Sequence, residues 1–258
     1  MSSPLAFITG ASSGIGQALA ARYAKAGYRL ALVARRGPEV EAWVRTQGLP
    51  EERARVYAAD VRDIDGITGA GRACIDAQGL PEVVIACAGI SVGVDTAVFS
   101  DLAQMRATFE TNNIGLAATF QPFLQGMRDR GSGTLVGIAS VAGIRGLPGH
   151  GAYCASKAAV ISYCESLRGE CRPFGVKVVT IGPGYIDTPL TSKNRYKMPF
   201  LMQPAAFADK AFDAIAAGVS YRVIPWQMGV LAKLLRALPD RVFDRVLAGR
   251  PRKRRVGE

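Results

Sequence analysis

The 258-residue chain lacks the features that mark several classes of protein. No window approaches the roughly 20 apolar residues that a membrane-spanning helix needs, and the short polar start runs directly into a strand-like segment instead of a signal peptide. Five cysteines without a CxxC spacing and a single histidine indicate neither a disulfide framework nor a metal site. We therefore expect a cytoplasmic protein that is neither secreted nor membrane-spanning.

Acidic residues are scarce near the end of the chain. The formal net charge is +11, and residues 222–258 hold ten Lys or Arg against three Asp or Glu. Such an excess of positive charge can bind nucleic acid or an anionic membrane surface. No basic patch interleaved with aromatic residues supports nucleic-acid binding. We expect residues 250–258 to form a solubilising, partly disordered terminus.

Short apolar runs rich in β-branched residues alternate with stretches of helical length. The strand-like runs are residues 5–9, 29–34, 55–59, 83–86, 134–140, 176–181 and 221–225. The helix-length stretches include residues 14–26, 64–78, 101–127, 153–171 and 204–217. This alternation predicts a single α/β domain, in which a parallel sheet of about seven strands is covered by helices on both faces. Ligands of such sheets bind at the carboxyl ends of the strands.

A glycine-rich turn follows the first strand-like run. Gly10, Gly14 and Gly16 have the spacing G-x-x-x-G-x-G and directly precede a helical stretch. Glycines let the backbone approach a pyrophosphate, and the helix N-terminus offers unpaired N–H groups to it. The turn is thus a candidate phosphate cradle, although a glycine cluster alone is often only a turn.

The end of the second strand-like run bears on the choice of cofactor. About 20 residues past the glycines, an NAD-binding fold places an acid on the ribose 2′-hydroxyl. Arg35 and Arg36 occupy this place. Two guanidiniums suit a 2′-phosphate, so NADP(H) is preferred over NAD; standing alone, the pair is equally well explained as a solvated basic strand end.

Tyr153 and Lys157 lie four residues apart on a stretch with helical periodicity, and therefore share a helix face. A nearby ammonium favours the phenolate, so we expect Lys157 to lower the pKa of Tyr153 towards the range useful for proton transfer. Taken alone, the pair also fits a chance surface arrangement. Five motifs occur in order with it: residues 9–16, Ala88-Gly89, Asn112, Ser140 and Pro183-Gly184.

On these motifs the chain resembles the classical short-chain dehydrogenases/reductases, from the first strand to about Thr188. The resemblance implies a Rossmann-type doubly wound sheet, a nicotinamide cofactor and a catalytic tetrad of Asn112, Ser140, Tyr153 and Lys157. It also implies that Ser140 binds the substrate oxygen, Tyr153 exchanges its proton, and Lys157 holds the nicotinamide ribose. The family's Asn-x-x-Gly spacing selects Asn112 over Asn113.

The cofactor site that the resemblance and the residues together predict comprises Gly10, Ser12, Ser13, Gly14, Ile15, Gly16, Arg35, Arg36, Asp60, Val61, Ala88, Gly89, Tyr153, Lys157, Pro183, Gly184, Ile186 and Thr188. One departure from the family pattern is Cys87, which stands where the family usually has Asn. We interpret Cys87 as a small buried residue rather than a nucleophile.

Loops at residues 91–96, 141–150 and 185–203 are expected to close a mostly apolar substrate pocket, with residues 189–203 as a mobile lid. His150 either lines the entrance or faces solvent. We assign residues 1–225 to the catalytic domain and residues 226–258 to a basic amphipathic extension of it. The extension packs in an oligomer, covers the substrate site or rests on an anionic membrane; a homodimer or homotetramer is the favoured interpretation.

The sequence therefore predicts an NADP(H)-dependent oxidoreductase. It would transfer a hydride between nicotinamide and a carbonyl or alcohol carbon of a medium-sized, mostly apolar ketone, aldehyde or secondary alcohol, with Tyr153 as general acid–base. The alternative is a catalytically silent dinucleotide sensor or membrane-associated scaffold with the same fold.

Overall fold

Seven β-strands form the centre of the protein in a computed structural model, which describes residues 3–192, 194, 196–249 and 252–257. They are β1 (Leu5–Thr9), β2 (Arg29–Ala34), β3 (Ala54–Ala58), β4 (Val83–Ala86), β5 (Gly133–Ile138), β6 (Val176–Pro183) and β7 (Tyr221–Ile224). All seven predicted strand-like runs are confirmed, with ends that differ by a residue or two.

The strands form one fully parallel sheet with the order β3-β2-β1-β4-β5-β6-β7. Leu5 of β1 pairs with Arg29 on one side, while Ala6 pairs with Val83 of β4 on the other. The strand order therefore reverses between β1 and β4. A crevice opens at such a reversal, outside the carboxyl ends of the strands, and this is where ligands bind in open α/β sheets.

Helices cover both faces of the sheet. They are α1 (Gly14–Lys25), α2 (Gly37–Thr46), α3 (Ile64–Gln78), α4 (Asp101–Phe109), α5 (Gly115–Arg130), α6 (Gly151–Cys171), α7 (Pro204–Ala216), α8 (Trp226–Ala237) and α9 (Asp240–Leu247). One core cluster joins α1 and α7 to the sheet through buried side chains such as Leu19 and Phe207. The other joins α3, α5 and α6 through residues such as Phe123 and Val160. The predicted doubly wound α/β architecture is confirmed.

The predicted helix at residues 101–127 is interrupted. A π-helical turn, Glu110–Ile114, separates α4 from α5. Periodicity predicts one continuous helix because a π-helical turn leaves the apolar spacing nearly intact. Such turns inside α-helices often occur at functional sites, and this one contains Asn112.

The C-terminal extension folds as two helices, since Pro239 cannot continue α8 and keeps the preceding Leu238 extended. Arg145 connects the extension to the domain. Its guanidinium donates hydrogen bonds to the carbonyl oxygens of Leu235 and Leu238, and it lies 3.7 Å from the ring centroid of Phe243. Among the described residues, no helix is long and apolar enough to cross a membrane.

The expectation of a disordered terminus is wrong for residues 252–255, which contact the loops above the sheet. Gly93 donates its backbone N–H to the carbonyl oxygen of Arg254 at 2.9 Å, and Arg255 pairs with Asp101 at 3.7 Å. Hydrogen bonds to these distant loops order the segment, and its composition alone gives no sign of them. Arg250, Pro251 and Glu258 of the predicted terminus lie outside the described residues.

Candidate active site

The glycine-rich turn connects the end of β1 to the start of α1, in the crevice between β1 and β4. Gly10 has a φ of 73°, and a Cβ on it would lie 2.9 Å from the backbone of Ala88. A Cβ on Gly16 would lie 2.2 Å from the carbonyl oxygen of Gly10. Both positions therefore require glycine, and the first turn of α1 is left open to a ligand. The Ser13 side chain makes no capping hydrogen bond, so it does not block the N–H groups of that turn.

A single cleft runs from this turn along the carboxyl ends of the strands. All eighteen predicted cofactor residues line it: Gly10, Ser12, Ser13, Gly14, Ile15, Gly16, Arg35, Arg36, Asp60, Val61, Ala88, Gly89, Tyr153, Lys157, Pro183, Gly184, Ile186 and Thr188. Ser140 also lines the cleft. Asn112 does not line it, but its neighbour Thr111 does. Ile90, which the sequence interpretation missed, also borders the cleft, as do Leu190 and Thr191 from the predicted lid.

Two arginines stand at the end of the cleft above β2. Arg36 donates to the hydroxyl of Ser12 at 3.0 Å and pairs with Glu39 at 3.3 Å, while Arg35 lies 3.8 Å from Asp60. Both guanidiniums are more than half exposed. They are therefore accessible to an anionic group placed beside the glycine-rich turn.

Asp60, which follows β3 at the same end of the cleft, stays ionised. Burial opposes ionisation, but hydrogen bonds from Arg62 outweigh it and keep the pKa of the Asp60 carboxyl below its ordinary value. Arg62 donates to Asp60 Oδ2 at 2.8 Å. The carboxylate thus has a guanidinium partner of its own, and Arg35 and Arg36 keep their exposed faces towards the cleft.

These residues fit a dinucleotide that carries a 2′-phosphate. The glycine cradle accepts a pyrophosphate because side chains are sterically excluded there. The end of β2 carries no carboxylate that would repel a phosphate, and two guanidiniums with free donors stand beside it.

Ser140, Tyr153 and Lys157 converge at the opposite part of the cleft. Ser140 follows β5 and accepts a hydrogen bond from the Ala142 backbone N–H at 3.2 Å, which fixes its hydroxyl at the strand end. Tyr153 and Lys157 lie on one face of α6, as predicted. Lys157 Nζ is buried and donates to the carbonyl oxygen of Ile138 at 2.8 Å. The end of β5 and one helix therefore hold the three side chains together.

The pKa prediction for Tyr153 is wrong in the protein without bound molecules. Burial raises the pKa of Tyr153 to about 12, although a hydrogen bond from Ser140 opposes this by favouring the phenolate. Burial also lowers the pKa of Lys157 to about 8. The lysine ammonium lies 5.9 Å from the ring centroid and bonds to Ile138, so its effect on the phenol is smaller than that of desolvation.

Asn112 joins three elements behind the cleft. Its Oδ1 accepts from the Ile90 backbone N–H at 2.9 Å, and its Nδ2 donates to the Ile90 carbonyl oxygen at 3.0 Å and to Ser156 Oγ at 2.9 Å. A Cβ on Gly89 would lie 3.2 Å from Asn112 Oδ1 and 3.4 Å from Lys157 Nζ. The π-helical turn therefore brings Asn112 close to Lys157, at the position that the spacing argument preferred over Asn113.

Thr9 supports the loop that contains Cys87. Its Oγ1 accepts hydrogen bonds from the backbone N–H groups of Cys87 at 3.1 Å and Ala88 at 3.3 Å. These bonds tie the loop after β4 to the end of β1 without a side-chain amide at position 87. Burial of the thiol raises the pKa of Cys87 to about 12, which disfavours a nucleophile, but the residue is half-buried and lines the cleft, so the expected full burial is wrong.

His150 and Tyr196 contact each other in two of the loops that are expected to close the substrate pocket. His150 is buried, with Nδ1 3.1 Å from the Pro148 carbonyl oxygen and Nε2 3.4 Å from Tyr196 Oη. The Tyr196 ring also lies 6.2 Å from the Tyr185 ring. Burial raises the pKa of Tyr196, and the neighbouring phenols of Tyr185 and Tyr153 raise it further. No periodic pattern in the sequence points to Tyr196, since it lies in an irregular loop.

Comparisons with known proteins agree with this fold and site. A family model described as short chain dehydrogenase matches residues 4–199. The chain is 36% identical over 247 residues to an uncharacterized oxidoreductase of Myxococcus xanthus, covering 95% of this chain and 96% of that protein. The chain belongs to the short-chain dehydrogenase family, and it is an oxidoreductase whose family uses a nicotinamide cofactor.

Two solved structures resemble this one. A short-chain dehydrogenase from Streptomyces avermitilis has a TM-score of 0.77 at 26% identity, covering 90% of this chain and 92% of that one. An alcohol dehydrogenase from the archaeon Thermococcus sibiricus, complexed with 5-hydroxy-NADP, has a TM-score of 0.76 at 25% identity. That match covers 86% of this chain and 96% of the archaeal chain.

Proposed function

We propose that the protein is an NADP(H)-dependent oxidoreductase that transfers a hydride between nicotinamide and a carbonyl or alcohol carbon. Its substrate is a medium-sized, mostly apolar ketone, aldehyde or secondary alcohol. The observation that carries the proposal is the convergence of Ser140, Tyr153 and Lys157 in the same cleft as the glycine-rich turn. A nicotinamide bound in that cleft would lie beside the Tyr153 phenol, which is the proposed proton donor.

In the direction of carbonyl reduction, the Ser140 hydroxyl and the Tyr153 phenol donate hydrogen bonds to the substrate oxygen. A bound NADPH supplies the hydride for the carbonyl carbon. As negative charge develops on the oxygen, Tyr153 transfers its Oη proton to it and the alcohol forms. The Ser140 hydroxyl has one proton to donate, so while it bonds to the substrate oxygen the Tyr153 phenolate depends on Lys157 for stabilisation.

Lys157 and Asn112 support this proton transfer. We assign Lys157 to the nicotinamide ribose and to stabilisation of the Tyr153 phenolate, because a positive charge beside a phenol favours its ionised form. Asn112 is a positioning residue, since its bonds to Ile90 and Ser156 fix the wall behind Lys157. Its adjacency to Gly89 and Lys157 supports a role in returning protons to this end of the site.

The choice of NADP(H) rests on Arg35 and Arg36. Their exposed guanidiniums offer fork-shaped donors where a 2′-phosphate would lie, whereas an NAD-binding site of this fold would place an acid there. The Thermococcus sibiricus relative, crystallised with 5-hydroxy-NADP, gives further support.

Removal of the Tyr153 phenol oxygen tests its role as the general acid. Tyr153→Phe should reduce NADPH-dependent carbonyl reduction by at least about a hundredfold, the usual contribution of a positioned general acid. Its NADPH affinity should stay close to that of the unmodified protein. Tyr163→Phe, on an exposed part of the same helix, is the matched control. Undiminished turnover by Tyr153→Phe would refute the mechanism, and NADPH binding with no turnover by the unmodified protein would favour the silent sensor.

We also propose that the protein acts as a cytoplasmic homodimer or homotetramer. All five cysteines are free thiols, as a reducing compartment permits. Leu102 and Met105 of α4 and Tyr163 of α6 are exposed apolar side chains on helices that the family uses to pair subunits. Sedimentation equilibrium would measure the oligomeric state, and a monomer at micromolar concentration would contradict this assignment.

A further inference from the structure

A C-terminal strap, defined as residues 252–255, lies across the loops that surround the substrate side of the site. The carbonyl oxygen of Arg254 accepts from Gly93, and the side chain of Arg252 packs against Gly149. Val94 also donates to the carbonyl oxygen of Gly149 at 3.3 Å, so the strap sits where two of the predicted substrate loops meet. It is therefore a wall of this region rather than a free terminus.

Lys253 attaches the strap to the third loop. Its Nζ donates to the carbonyl oxygen of Leu190 at 3.0 Å and to Asn194 Oδ1 at 2.8 Å. Leu190 itself lines the cleft that contains Tyr153. The lysine is half-buried, and its contact with Leu190 connects it to a residue of the cleft wall.

The Lys253 ammonium has no anionic partner among the residues that the structure describes. Both of the acceptors that the described residues provide are neutral oxygens, and an ammonium has three N–H donors. Burial lowers the pKa of Lys253. The strap carries four consecutive cations, and Asp101, an acid next to it, pairs with Arg255. A partly desolvated ammonium in such surroundings favours an anion as its third partner.

The side chains between Lys253 and Tyr153 do not supply this anion. His150 lies close enough to Lys253 for the ammonium to lower the pKa of the imidazole, an effect that adds to burial and keeps the ring neutral. Tyr196 contacts His150 and is near Tyr153. Neutral, partly aromatic side chains therefore lie near both the phenol and the cation.

We propose that Lys253 binds a carboxylate of the substrate, so that the enzyme acts on carbonyl compounds with an anionic group remote from the reacting carbon. This inference rests on the proposed function and specifies its substrate class. The carbonyl end lies at Ser140 and Tyr153, the apolar middle lies along His150 and Tyr196, and the carboxylate lies at Lys253. The strap is then a specificity element.

Inhibition by a matched pair of probes tests the inference. Hexanoate and hexanamide have the same chain, and they are compared as inhibitors of the reduction of a neutral ketone by the NADPH-loaded enzyme. Hexanoate should compete with the ketone and have an inhibition constant about tenfold lower than that of hexanamide, as one charge-assisted hydrogen bond provides. Equal inhibition by the two probes, or competition with NADPH instead of the ketone, would overturn the assignment.

Three variants locate the effect. Lys253→Met should abolish the preference for hexanoate, whereas Lys253→Arg should retain most of it because the charge remains. Lys233→Met, on the exposed face of α8, should behave like the unmodified enzyme. A preference that survives in Lys253→Met would show that another group binds the carboxylate.

Calorimetric titration of both probes into the NADP-loaded protein reports the same preference without turnover. If no carbonyl compound is reduced but hexanoate still binds through Lys253, the proposed reaction fails while the anion site stands. If carbonyl reduction proceeds and titration shows no difference between the probes, only the anion site fails.

Discussion

Arg35 and Arg36 allow a quantitative test of cofactor selectivity through the double substitution Arg35→Ala/Arg36→Ala. A hydrogen bond to a charged group contributes about 1.5–3 kcal/mol. The side chains are 61% and 57% exposed, so solvent screening reduces each contribution to about 1 kcal/mol. The two together amount to about 2 kcal/mol, or about a 30-fold weaker binding of NADPH.

The assay is a fluorescence titration with NADPH and with NADH at fixed ionic strength. The Kd for NADPH should rise about 30-fold, while the Kd for NADH should change by less than about threefold because NADH lacks the 2′-phosphate. Arg45→Ala, on the exposed face of α2, removes one positive charge nearby and should leave the Kd values unchanged. Equal losses for both cofactors would refute the reasoning, since they would indicate damage to the glycine-rich turn and no recognition of the phosphate.

Two further predictions concern stability. Lys157→Met should raise the melting temperature of the cofactor-free protein at pH 7, because burial lowers the folded-state pKa of Lys157 to about 8 and the charged form is therefore disfavoured by folding. The unfolded chain binds this proton more tightly, so the free energy of unfolding of the unmodified protein rises between about pH 8 and pH 10. The gain in melting temperature from the substitution therefore shrinks over this pH range, and a gain that grows with pH would contradict the prediction. Gly16→Ala should destabilise the protein by about 1–3 kcal/mol in urea unfolding, since its Cβ would meet the Gly10 carbonyl oxygen. Gly169→Ala is the matched control, because a Cβ on Gly169 of α6 would meet open space, and it should stabilise the protein by about 0.5–1 kcal/mol. Equal effects of the two substitutions would exclude the steric explanation.

The sheet was predictable because its strands are buried on both faces. Every residue of β4 and nearly every residue of β2 is buried, so the sequence shows continuous apolar runs that periodicity alone identifies. The glycine-rich turn was predictable for a related reason: backbone contacts at Gly10 and Gly16 allow no side chain, and this restriction is visible in the sequence as a fixed spacing.

Features that depend on contacts between distant residues were not predictable in this way. The π-helical turn exists where Asn112 bonds to Ile90 and Ser156, which are 22 and 44 residues away. The strap looks disordered in composition, yet three loops order it. Tyr196 has no periodic pattern around it. In each case the local residues permit several conformations, and a partner far along the chain selects one.

The sign of the Tyr153 pKa shift depends on which of two opposing effects is larger, and spacing cannot decide this. Residues four apart on a helix predict that an ammonium stands beside the phenol, which lowers the pKa. In the structure, desolvation raises the pKa of Tyr153 and lowers that of Lys157, and the Lys157 ammonium bonds to the Ile138 carbonyl oxygen instead of the phenol. In the proposed mechanism, the hydroxyl groups of a nicotinamide ribose would accept hydrogen bonds from the Lys157 ammonium and so favour its charged form. We therefore propose that cofactor binding, through Lys157, would bring the Tyr153 pKa back towards the range of proton transfer.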